Sequence, residues 1–167
     1  MRRFWNAIRR PAVVTVAVLA VVVPACTGTH AAPNALSGVR TATARFHDLQ
    51  AARGAGYRPV LSCFDSPAGG MGQHYARVDQ FDNHLDPLQP EAMVYEVGRD
   101  RSLQLVAVEY IVPQKGWTAA TPPVLLGQTF SRNNALGLWV LHAWIWRTNP
   151  AGMFANYNPA VPKCPGH

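Results

Sequence analysis

Three side chains of the kinds that bind divalent metals or exchange protons stand out in this sequence: Glu109 and His142, each among apolar neighbours, and His74, whose alternative reading is an exposed loop residue. Segment Leu103–Val112 alternates as a strand would, with Leu103, Leu105, Ala107, Glu109 and Ile111 on one face. Its other face carries Gln104, Val106, Val108, Tyr110 and Val112. Both faces are apolar, so the strand is expected to be covered on both sides, with Glu109 inside. Leu138–Arg147 places His142 with Leu138, Val140, Trp144 and Trp146. An unpaired buried carboxylate costs several kcal/mol, so Glu109 requires a cation, a metal or a proton. His142, on a neighbouring strand, is the expected partner. Glu96 shares a face with Ala92 and Val94 in the preceding strand and is expected close by. His74 follows Gly69-Gly70-Met71-Gly72, whose glycines would let a loop fold over the sheet.

Two imidazoles and a carboxylate can hold a divalent metal with open positions, as non-haem iron and catalytic zinc sites do. Without a metal, the same trio can act as general acid and base on a small substrate. The competing class is a non-enzymatic envelope protein that works through its surface. There, His142 is a hydrogen-bonded core residue, and Glu109 pairs with Arg58, Arg77 or Arg147. His47, on a helix flank, and His84, in an acidic loop, read as solvated. The glycine run lacks the Gly-Lys-Ser/Thr of a phosphate loop, and Asp79, Asp82 and Asp86 do not have EF-hand spacing. The absence of Gly-x-Ser-x-Gly and of CxxC argues against a serine hydrolase, thioredoxin-type redox chemistry and cysteine-rich zinc sites.

The elements that must carry these residues follow from period and punctuation. Val39, Ala42, Phe46 and Leu49 recur at helical steps, predicting a helix over Thr41–Arg53 that ends at Gly54 or Gly56. Tyr57–Phe64 reads as extended, and Asp65–Pro90 as a long irregular stretch. Ala92–Val97 and Leu103–Val112 flank the turn GRDRS, a hairpin. Val124–Phe130 reads as a short strand and Leu138–Arg147 as a longer one; the Pro/Asn-rich tail from Thr148 reads as an irregular strap. The expected class is α+β: an N-terminal helix on a small antiparallel sheet curled toward a barrel, in one domain over 41–167.

Composition narrows the partners. The net charge of +6 owes much to Arg2, Arg3, Arg9 and Arg10; without them 11 basic side chains face 9 acidic ones. That is too little for a phosphate-tracking surface, so nucleic acid is not an expected partner. The basic start precedes the uncharged run Pro11–Ala25, too short to span a bilayer and suited to a signal peptide over 1–25. Val23-Pro24-Ala25-Cys26 resembles a lipobox, apart from Pro24, and ordinary cleavage after Ala25 or Ala31 is the alternative. Of three cysteines, lipidation of Cys26 leaves Cys63 and Cys164 as a disulfide pair. The expectation is therefore a lipid-anchored protein of the cell envelope, its membrane the first partner, with residues 26–40 as a polar tether. No cofactor is named by the sequence beyond a possible divalent metal.

Several strings add a resemblance: Gly56-Tyr57 before Cys63, GGMGQHY at 69–75, LDPLQPEAMVYE at 85–96 and LQLVAVEYIVP at 103–113. PPVLLGQTF at 122–130 and LHAWIWRTNPAGMFANYNP at 141–159 complete the set. Over about Phe46 to Cys164 the chain resembles a family of small exported bacterial proteins with no established activity. The resemblance implies that these strings belong together and supplies no catalytic residue. It embraces the same polar groups: His74, Glu96, Glu109 and His142.

Overall fold

The computed structural model describes residues 33–165; the expected signal peptide, Cys26 and the tether as far as residue 32 lie outside them. Helix α1, Pro33–Thr43, begins inside the expected tether. Its Leu36 and Val39 pack into the core, and that burial holds a stretch whose polarity alone suggests a linker. Thr41 and Thr43 turn their hydroxyls back to the Ser37 and Val39 carbonyls. A 3-10 turn, Ala44–His47, follows, and Asp48 caps α2, Leu49–Gly54, by accepting from the Gln50 amide at 2.8 Å. The expected single helix is thus two short ones. Asp48 competes for backbone amides and favours a cap over a helix interior. Gly56, at φ 94, turns the chain into the sheet.

Six strands form a curled antiparallel half-barrel: β1 (Arg58–Ser66), β2 (Gly69–Ala76), β3 (Ala92–Val97), β4 (Leu103–Pro113), β7 (Ser131–Asn133) and β8 (Leu138–Ala143). Their spatial order is β1-β2-β3-β4-β8-β7. The remaining two, β5 (Val124–Leu125) and β6 (Gln128–Thr129), pair as a minimal hairpin turned by Leu126 and Gly127, both at positive φ. This replaces the expected strand Val124–Phe130.

β2 is the largest departure from the expected irregular stretch. Its glycines answer a need for close backbone approach rather than for a loop. A Cβ on Gly72 would lie 2.5 Å from the Tyr95 carbonyl oxygen, and one on Gly69 2.5 Å from the Asn158 backbone. A β-bulge corrects the expected faces of β4: Val94 faces Ala107, but Tyr95 faces Leu105, so Val106 is the extra residue. Leu105 consequently packs with Tyr95, Val108 and Tyr110 beneath the helices. Val106 and Ala107 both pack with Val94 and Trp144 on the opposite face.

β8 stops at Ala143, short of the expected Arg147, because the chain finds other partners. The Trp144 amide donates to Met153, and the Trp146 and Arg147 amides both reach the Val106 carbonyl. Trp146 accordingly leaves the face of His142 and packs on the helix side, 4.5 Å from the His47 ring. Beyond it the strap crosses the other face. Gly70 and Asn158 exchange backbone hydrogen bonds, and Cys164 is bridged to Cys63 across a separation of 101 residues.

Candidate functional site

Glu109 and His142 stand directly opposite each other on β4 and β8. His74, expected on a loop, sits on β2 opposite Val94, and Ala92 of β3 faces Glu109. His74 and Glu109 are therefore two strands apart and two residues out of register, about 11–12 Å on a flat sheet. Curling of the sheet and the small side chain of Ala92, which faces Glu109 across β3–β4, leave room for the side chains to meet. His74 Nε2 lies 3.3 Å from Glu109 Oε2, and His142 Nε2 lies 3.5 Å from Glu109 Oε1. The two Nε2 atoms are 3.4 Å apart. All three residues are buried, and together they form a potential metal-binding group.

Burial dictates their charge. Desolvation pushes Glu109 up to about 8, helped by the nearby Glu91 carboxylate. It pushes His74 down to about 4, opposed by the Gly72 carbonyl, which accepts from the ring. With Nε2 turned to the cluster, that bond keeps the His74 proton on Nδ1 and leaves Nε2 a free lone pair. His142 is pushed down to about 3 by burial and then by His74, with the Asn156 side chain opposing. Its Nδ1 is buried without a hydrogen-bond partner, and its ring stacks on Trp144 at 6.1 Å. With these shifts the three residues are two neutral imidazoles and one protonated carboxyl at neutral pH.

Glu96 does not join them. It lies four residues along β3 from Ala92, about 13 Å at strand rise, and pairs with Arg147 at 3.7 Å. Arg147 also donates to Ala160, so this pair fastens the strap. The structural partners considered for Glu109 are engaged elsewhere: Arg58 with the Arg53 and Tyr57 carbonyls, Arg77 with Asp79, Arg147 with Glu96. His84 is exposed, and His47 edges the Trp146 ring while remaining exposed.

The cluster forms the floor of a pocket of about 860 Å³ between β1, the β7–β8 turn and the strap. Sequence reasoning missed this enclosure because Phe64, Leu136 and Asn156 approach it from segments far apart in the chain. It also missed Glu91, buried beside the strand start, which accepts from the Ile111 amide at 3.0 Å and is pushed up to about 7 by burial. Only its place between Pro90 and Ala92, at the mouth of an apolar strand, signalled it. The chain matches no family model, no curated protein and no solved structure.

Proposed function

We propose that His74, Glu109 and His142 form a zinc-type centre whose open position faces the pocket. The observation that carries this reading is the convergence of three buried residues whose donor atoms, one from each, lie within 4.8 Å of one another. Their contacts of 3.3–3.5 Å are longer than the usual hydrogen-bond lengths, so the group is loose as a hydrogen-bonded network. Two imidazoles and one carboxylate are a donor set that suits zinc or non-haem iron better than magnesium, which takes oxygen ligands. Three protein ligands leave one position for water or a small ligand, and such an ion lowers the pKa of its water to about 7. The test is elemental analysis of protein purified without chelators or a His-tag. One zinc per chain in wild type and none in Glu109→Gln is the expected result. A wild type that takes up no zinc on reconstitution would leave the non-enzymatic envelope domain as the reading.

We further infer that the protein is exported and lipid-anchored. A disulfide belongs to an oxidising, non-cytoplasmic setting, and pairing Cys63 with Cys164 leaves Cys26 as the third cysteine. Among the described residues no helix is long and apolar enough to cross a membrane. Because α1 begins at Pro33, residues 27–32 span at most about 21 Å fully extended. An anchor at Cys26 would thus hold the folded unit close to the membrane.

A further inference from the structure

We propose that the pocket takes a mono-anionic amphiphile, a carboxylate on an apolar chain, with its head on the open side of the His74/Glu109/His142 centre. This rests on the zinc reading for the head group. A divalent ion beside one carboxylate retains one positive charge, which a single carboxylate neutralises. Most of the remaining lining suits an apolar body, with Val60, Phe81, Leu138 and Val140 among it, while Arg132, Asn133 and Asn156 supply polar groups to the same pocket. Among the described residues seven large hydrophobic side chains are exposed, and four of them, Leu61, Phe64, Val78 and Leu136, surround this one pocket. Exposed apolar residues gathered around a cavity mark a surface that a ligand covers.

The backbone of β1 is arranged to the same end. Consecutive residues of a regular strand face opposite ways, yet Val60 and Leu61 both line the pocket. The pairing jumps from Val60↔His74 to Phe64↔Gly72, and within this bulge Leu61 adopts φ 60, a left-handed conformation unfavourable for leucine. The Gln73 amide holds it by donating to the Leu61 carbonyl at 2.9 Å. Strain of this kind persists where the surroundings enforce it, and here it turns an apolar side chain that is 56% exposed over the cavity.

The experiment is calorimetric titration of the zinc-loaded full chain with acetate, hexanoate, octanoate and decanoate. Affinity should rise about three- to fourfold per added methylene, the increment for moving a methylene out of water. Leu61→Ser and Leu136→Ser replace side chains that are 56% and 48% exposed. Each should weaken decanoate at least fivefold with zinc content unchanged. Zinc uptake with no dependence on chain length would overturn the amphiphile and leave the metal reading intact. Chain-length dependence in protein that takes up no zinc would overturn the metal reading and uphold the amphiphile. Sedimentation with phosphatidylcholine vesicles in place of decanoate binding would make the mouth a membrane-facing patch, and that too would overturn the proposal.

Discussion

Stripped of metal, the protein should lose stability as pH rises from 6.5 to 9. Burial pushes Glu109 up to about 8 and Glu91 up to about 7, from 4.5 in an open chain. Between those limits the folded state holds protons that the unfolded state has released, and each carboxyl costs about 1.4 kcal/mol per pH unit. The imidazoles work the other way. His74 and His142 are pushed down to about 4 and 3 from 6.5, so below 6.5 the unfolded chain binds protons that the fold refuses. Their contribution grows with pH and is nearly complete a little above 6.5. From 4.5 to 6.5 two rising and two falling contributions roughly offset. Above 6.5 the carboxyl loss prevails, and the net decline by pH 9 is about 2 kcal/mol, Glu109 dominating. Urea unfolding of chelator-treated protein at pH 6.5, 7.5 and 9, followed by tryptophan fluorescence, measures it. Glu109→Gln should flatten the slope, since Glu91 and the imidazoles then nearly cancel. Saturating zinc should reverse it over pH 6.5–8, because the ion displaces the Glu109 proton and binds better as that proton leaves. A metal-free wild type whose stability holds or rises toward pH 9 would refute the reasoning, since Glu109 would then be ionised in the fold.

Replacing both Cys63 and Cys164 by alanine should cost about 4–5 kcal/mol, the chain entropy of a loop of roughly 100 residues; equal denaturant midpoints under oxidising conditions would contradict this. Ala92→Leu should crowd Glu109, the residue it faces on β4, abolishing zinc uptake at a stability cost of about 1–3 kcal/mol, whereas Ala92→Ser should keep the zinc. Cys26→Ala should move the protein from the membrane fraction to the soluble fraction of a bacterial host, with loss of a lipid-dependent mass increment in the mature chain.

Much of this architecture was legible in the residue pattern because it depends on local period and on single costs. The hairpin around Gly98–Ser102 announces itself by two apolar runs and a polar turn, and it forms as expected, with Asp100 accepting from Ser102. The pairing of Cys63 with Cys164 follows once the expected lipidation sets Cys26 aside. The burial of Glu109 and His142 follows from apolar neighbours on alternating positions, and a buried carboxylate must find company. These inferences need only a strand's two-residue period and the cost of an unpaired charge.

Only the tertiary structure could decide the rest, because it turns on contacts between backbones far apart in sequence. Gly69, Gly70 and Gly72 resemble a loop until the strap and β3 are seen pressing against them, leaving no room for a Cβ. That pressure makes β2 a strand and puts His74 in register with Val94. The bulge at Val106 is equally invisible in a pattern where both faces are apolar: a one-residue slip exchanges one hydrophobic side chain for another. Glu96 and Glu109 share a face by alternation. Distance along the strand then gives one to Arg147 and the other to two histidines, which a period-two pattern cannot distinguish. The types of the site's side chains were set by sequence, and their meeting was set by the register and curl of the sheet.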